Sequence, residues 1–255
     1  MNQVNSILGI KISTLNLEET VRFIFESIND GNIILREDLN AFKLSLMKSG
    51  SPIAKAFDRS TFINADGASI VLAHRLLFNR RIPRVTGCDL MPALVKKCAE
   101  QKKTIFLLGA TQAVVESLAL NIEAEFGPDI IAGYRNGFFG ENDWHEITKQ
   151  INACQADFLF IGTPSPQKEN FIISNIDSLT STQFVMGVGG TFDVLTGITR
   201  RAPNWVQRAG MEWLYRVIQE PRRMWKRYLV CNSKFLILLI KEKLKQFTSP
   251  KQQTQ

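Results

Sequence analysis

From residue 101 onward, short apolar runs alternate with stretches of helical period, and each run ends in a turn bearing Gly or Asp. Thr104–Leu108 leads to Gly109 and a helix through Val114, Leu118 and Ile122. Asp129–Tyr134 is followed by a helix over Trp144–Ala153, with Asp143 as its expected cap. Ala156–Ile161 runs into Gly162-Thr-Pro-Ser-Pro-Gln-Lys-Glu and a further helix, and Gln183–Met186 into Gly187-Val-Gly-Gly-Thr-Phe-Asp193. Strands that are apolar on both sides belong to parallel sheets covered by helices on both faces. The first hundred residues add strands at Ile33–Leu35 and Thr61–Asn64, and helices through Leu17–Ile28, Ile70–Leu77 and Leu90–Ala99. The expected fold is α/β and Rossmann-like, with a mostly parallel sheet that binds ligands at the carboxyl ends of its strands.

The last quarter of the chain differs. Residues 200–255 carry 13 Lys and Arg against 3 Glu, whereas residues 1–199 carry 18 against 21 Asp and Glu. Three of the four tryptophans (Trp205, Trp213, Trp225) and the run Phe235–Ile240 lie in this tail, which reads as continuous helix from Ala202 with a break or kink at Pro221. The polar end from Lys241 is expected to fray. The expected division is a core over 1–200 and a basic, amphipathic helical appendage over 201–255. Cations mixed with aromatic and aliphatic side chains suit an anionic bilayer surface; nucleic acid is the competing anionic partner. No apolar run approaches a membrane span, and no basic-then-apolar leader opens the chain. The scattered Cys88, Cys98, Cys154 and Cys231 fit a reducing compartment and no zinc site. The chain is thus expected in the cytoplasm, peripheral on the inner face of the cell membrane; a homo-oligomer is compatible with the sequence.

Chemistry-bearing residues cluster at the predicted strand ends. Asp66, in Asn64-Ala-Asp-Gly67, could serve as general base toward a hydroxyl, or simply cap the next helix. Asn40, in Asp38-Leu-Asn, could face the same cleft or act as a cap. Arg84-Val-Thr-Gly87-Cys-Asp89 sets a cation, a glycine and an acid before a helix, an arrangement suited to a diphosphate or to a plain surface ion pair. Gln167 sits in a stiff two-proline loop, and Gly187, Gly189 and Gly190 would let a ligand approach the backbone ahead of Asp193. That segment is not the dinucleotide fingerprint, because Phe192 stands where a third glycine is needed. A nicotinamide oxidoreductase is therefore a poor fit. The sequence has no DxD triplet, no Walker A segment and no GxSxG, and His74 and His145 fall within predicted helices as structural or surface residues.

Taken together, Asp38-Leu-Asn-Ala, Asn64-Ala-Asp-Gly, Arg84-Val-Thr-Gly-Cys-Asp-Leu, Phe106-Leu-Leu-Gly-Ala, Gly162-Thr-Pro-Ser-Pro-Gln-Lys-Glu, Gly187-Val-Gly-Gly-Thr-Phe-Asp and the long block from Arg201 to Arg223 resemble the WecG/TagA/CpsF family of glycosyltransferases. The resemblance implies an inverting transferase that needs neither metal nor other cofactor. It would move a sugar from a UDP-sugar (N-acetylmannosamine, its uronic acid, or glucose) to a monosaccharide linked through diphosphate to undecaprenol, in cell-surface polysaccharide synthesis. It implies Asp66 as base, with Asn40, Arg84 and Gln167 lining the pocket. It also implies a tail that completes the site at the membrane, where Arg216, Arg223 and Arg227, spaced by seven and four residues, would share a helical face toward the donor diphosphate. Asp38 stands where the family often has Thr, so Asp38 is a second candidate for the base. This reading takes the acceptor and base side as residues 1–100, the nucleotide-sugar side as 101–200, and nucleic acid as no partner.

Overall fold

The computed structural model describes residues 5–28 and 31–248. Six parallel strands form one sheet: β3 (Ile34–Leu39), β4 (Phe62–Ala65), β5 (Ile105–Gly109), β6 (Ile131–Arg135), β7 (Phe158–Gly162) and β8 (Phe184–Gly187), in the order β4-β3-β8-β7-β5-β6. A small antiparallel hairpin, β1 (Asn5–Ile7) with β2 (Ile10–Ile12), precedes it and was not evident in the sequence.

Alternation along each strand sends side chains to two cores. Ile34, Ile105, Leu107, Phe158, Phe160, Phe184 and Met186 meet α1 (Leu17–Ser27), α5 (Gly87–Glu100), α6 (Gln112–Phe126) and α9 (Thr191–Leu195). On the other face, Leu35, Phe106, Leu108, Leu159 and Ile161 meet α7 (Trp144–Ala153) and α8 (Gln167–Asn175). Leu39, Ile63 and Ala65 on that same face meet α2 (Ala41–Leu46), α3 (Pro52–Arg59) and α4 (Ala68–Phe78). The short α2 and α3 are additions to the expected elements. After β3 the chain enters α2 on one face, and after β8 it enters α9 on the other. It therefore parts at the carboxyl ends of β3 and β8, where open α/β sheets form their ligand crevice.

The tail is helical but not continuous. Gly210, at φ +72°, separates α10 (Asn204–Arg208) from α11 (Glu212–Gln219), and Pro221 opens α12 (Pro221–Thr248). Two expectations fall with this. Arg216 lies on α11 whereas Arg223 and Arg227 lie on α12, so no single helical face carries all three; the side chains of the latter two lie outside the described residues. Helix α12 also continues past Lys241 to Thr248, and the rest of the expected fray lies beyond the described residues. Inward-facing Met224, Cys231, Phe235 and Leu239 of α12 are buried; the last two join Leu44 of α2 in the core, and Lys243 Nζ donates to Leu76 O at 2.7 Å. Leu236, Ile237 and Ile240 stay half exposed. No helix among the described residues is long and apolar enough to cross a membrane.

Asp143 stands at the N-cap position of α7, as expected, but its side chain makes no cap bond to that helix. Its carboxylate turns back and accepts from the Gly140 N–H at 2.8 Å, closing a short 3-10 turn ahead of the helix. His74 is buried, with Nδ1 2.7 Å from Arg80 O, and His145 is exposed.

Candidate active site

All six strands run the same way, so their carboxyl ends share one edge. Residues far apart in sequence therefore meet there. Asp38 is level with Asn64 in the β3–β4 register, and the Asp66 N–H donates to Leu39 O at 3.0 Å. Val85 N–H donates to Ala65 O at 2.9 Å, which brings the Arg84–Asp89 segment alongside. Gly87 packs so tightly that an added Cβ would sit 3.0 Å from Thr191 Oγ1 and 3.6 Å from Val188 O, locking the start of α5 to the turn after β8. Gly189, at φ +53°, has nothing within 4 Å of where a Cβ would be, so its backbone is open from above. Gly190 caps α9, and Asp193 lies half-buried in the first turn of that helix.

Beneath this edge lies a cage of buried charges. Lys43 Nζ touches Glu37 Oε2 at 2.6 Å, Asp38 Oδ1 at 2.9 Å and Glu169 Oε1 at 3.3 Å, and its side chain is 1 % exposed. Lys168 Nζ adds contacts of 3.6 Å to both Asp38 and Glu169. Its stem crosses Gly187, where a Cβ would lie 2.8 Å from Lys168 Cδ. Arg36 is fully buried; Nε donates to Asn64 Oδ1 at 2.9 Å, Nη2 to Val85 O at 2.8 Å, and Nη1 lies 4.0 Å from Asp38 Oδ1. Asn40 serves twice: its Oδ1 caps α2 at the Lys43 N–H (3.0 Å), and its Nδ2 donates to Asp38 Oδ2 (3.0 Å).

These contacts separate the two candidate carboxylates. Burial alone would push the Asp38 carboxyl up, but Lys43, Lys168 and Arg36 outweigh it and hold it well below the usual carboxylate range. Both of its oxygens are engaged. Asp66 has no such cage. Burial, and then the negative charge of Asp38, push its carboxyl up; Arg36, Arg84 and Arg216 oppose this without cancelling it. Nor does Asp66 cap α4, whose N-cap is Gly67 and has no side-chain cap. Two carboxylates at one strand edge, one held ionised and one poised higher, form the pattern that divides acid–base roles.

Arg84 joins the edge to the appendage. Its Nε donates to Asp66 O at 2.9 Å, Nη1 to Gln207 O at 3.3 Å, and Nη2 pairs with Glu212. Asp89 accepts from Thr86 Oγ1 at 2.7 Å and meets Arg201 Nη2 at 2.6 Å. Gln167 opens α8 after a cis Ser165–Pro166 bond, and its amide donates to Phe139 O at 3.2 Å. Its neighbour Lys168, not Gln167, reaches Asp38. Among the described residues, no three His, Cys, Asp or Glu side chains gather as metal ligands would.

The profile of the Glycosyl transferase WecG/TagA/CpsF family matches residues 5–249. The chain belongs to this family. Among its relatives is the N-acetylglucosaminyldiphosphoundecaprenol N-acetyl-beta-D-mannosaminyltransferase of Bacillus subtilis (strain 168), 37% identical over 192 residues, which cover 75% of this chain and 73% of that protein. The protein of the same name from Bacillus spizizenii (strain ATCC 23059 / NRRL B-14472 / W23) is 33% identical over 168 residues, covering 66% and 64% respectively.

In this glycosyltransferase, the strand edge brings together Asp66, Asp38, Asn40, Arg84, Gly87, Asp89, Gly189 and Gly190 from four separate segments. Arg216 joins them from α11, within electrostatic range of Asp66 and Cys88. Gln167 stands on the β7 side with its amide turned to the β6–α7 connection. Sequence reading did not single out Lys43, Glu37, Lys168, Glu169, Arg36 or Glu212 as site residues. One signal was available: three consecutive charged residues, Arg36-Glu37-Asp38, lie inside a strand whose every residue is buried.

Proposed function

We propose that this glycosyltransferase moves a sugar from a UDP-sugar to a monosaccharide linked through diphosphate to undecaprenol, with inversion and without a metal ion. The observation that carries the mechanism is the divided carboxylate pair. Asp66, at the open strand end with its pKa raised, takes the proton from the acceptor hydroxyl as that oxygen attacks the anomeric carbon. The bond to the UDP oxygen breaks on the opposite face. Asp38, locked ionised, keeps Asp66 basic and is not itself the base. Arg84 and Arg216 offset the charge that grows on the leaving diphosphate, the task a metal performs elsewhere. The names of the two relatives favour N-acetylmannosamine as the sugar transferred and an N-acetylglucosaminyl lipid as acceptor.

The appendage supports a peripheral site on an anionic membrane. Trp205, Trp213, Ile218, Trp225 and Leu229 are exposed on the elements that carry the excess cations, where each Lys or Arg near anionic headgroups adds about 1 kcal/mol.

A panel of UDP-sugars offered with a soluble diphosphate-linked N-acetylglucosamine should release UDP with UDP-N-acetylmannosamine; release from none of them would refute the reading. The pH profile of kcat/KM tests the division of roles. Asp38→Asn removes the negative charge that raises Asp66 and leaves the Lys43 and Lys168 cations less compensated. Both changes favour ionised Asp66. The acidic limb of the profile should therefore move to lower pH, with measurable turnover retained. Total loss of turnover in a folded variant would return the base role to Asp38, and a limb that stays put would show that Asp38 does not tune the base.

A further inference from the structure

Three guanidinium groups from separate parts of the chain meet one carboxylate. Arg84 pairs with Glu212 Oε2, Arg216 Nη2 lies 3.7 Å from Glu212 Oε1, and Arg201 Nε lies 4.0 Å from the same oxygen. Glu212 is mostly covered, with 14 % of its side chain exposed. The second acid at this place, Asp89, pairs with one cation among the described residues, Arg201 through Nη2. Three cations thus face two carboxylates. Arg201 Nε is buried and donates to no acceptor among the described residues. The cluster abuts the base, since Arg84 also donates to the Asp66 carbonyl.

One carboxylate cannot satisfy three planar forks, whereas a diphosphate offers more oxygens and more charge across the same span. We infer that Arg84, Arg201 and Arg216 form one diphosphate site, and that Glu212 is its internal occupant. It is displaced when a diphosphate enters and returns when the diphosphate leaves. Arg201 thereby becomes a binding residue, and Glu212 an internal competitor that lowers affinity and speeds departure of the leaving group. The inference deepens the donor reading above, on which it rests for the nucleotide that carries the diphosphate.

The exchange carries a cost that can be read directly. A site closed by its own carboxylate nine times in ten binds about tenfold more weakly than the open site. In calorimetric titrations of the full chain, Glu212→Gln should bind inorganic pyrophosphate about tenfold more tightly than wild type. Glu212→Asp, which keeps the charge but withdraws it, should shift the same way by less, and covers the case in which the Gln variant melts early. Arg201→Gln should weaken pyrophosphate binding in both the wild-type and Glu212→Gln backgrounds. If Glu212 only latches the appendage, both Glu212 variants will bind pyrophosphate equally or more weakly, and the inference fails. Titration with UDP separates the two readings. Tighter pyrophosphate binding with no UDP binding would keep the site and remove the nucleotide donor. UDP binding indifferent to Glu212→Gln would keep the donor and remove the internal competitor.

Discussion

Lys43→Met should lower the unfolding free energy by about 3–5 kcal/mol, the typical cost of leaving a buried charge without its partner. For a chain of this size that is a fall in Tm of roughly 10 °C or more. Methionine matches the stem of lysine, so the loss comes from charge rather than from a cavity. Lys43 is the only cation in contact with Glu37 among the described residues, and it shares Asp38 and Glu169 with Lys168. The pH dependence gives the signature. The Asp38 carboxyl is held below its usual range, so its contribution in the wild type is present above the unfolded-state pKa and is lost as pH falls through the folded one. In Lys43→Met the carboxylates lose that support and can relieve repulsion by taking up protons. The gap in Tm between wild type and variant should therefore narrow as pH is lowered. A gap of only a degree or two at neutral pH would mean that Lys168 and Arg36 carry the cage alone.

Asp66→Asn should cut turnover by about 10²–10⁴-fold, the usual contribution of a general base. Affinity for UDP should change little, because the arginines that face the diphosphate are retained. Asn cannot accept the proton, yet it keeps the shape of the side chain, and the Arg84 Nε bond goes to the Asp66 backbone carbonyl rather than to the carboxylate. A variant that turns over within about threefold of wild type would exclude Asp66 as base. A large rise in the Kd of UDP would instead point to a structural role in shaping the cleft.

The centre of the sheet was legible because β5, β7 and β8 are buried throughout and read as unbroken apolar runs. One strand is longer than its apolar run. Ile34–Leu39 is six residues long, but Arg36-Glu37-Asp38 reads as the end of a strand when only hydrophobicity is followed. Those charges lie inside because α2, α8 and β4 bring partners to them, and spacing along one chain cannot show that. Helix α3 carried a usable signal in Ser51 followed by Pro52, the cap and first-turn pair. At six residues, α2 did not stand out from its surroundings. In the tail, the Pro221 break was evident, whereas the split at Gly210 was not, and with it went the shared face assumed for Arg216, Arg223 and Arg227. The run Phe235–Ile240 hid its own division, because an all-apolar stretch does not reveal that Phe235 and Leu239 turn inward while Leu236, Ile237 and Ile240 turn out. The strand-end residues were found because a parallel sheet gathers every carboxyl end at one edge. Glu212 and Arg201 lay within a recognised block, but their convergence on Arg84 is a tertiary fact.

The central claim is a single displacement by an acceptor hydroxyl that Asp66 deprotonates, with arginines in place of a metal. The most direct measurement is the anomeric configuration of the product formed from UDP-N-acetylmannosamine and a soluble diphosphate-linked acceptor in excess EDTA. Inverted configuration, formed at the same rate with and without EDTA, is the predicted result. Retained configuration, or activity that EDTA abolishes and Mg²⁺ restores, would contradict it.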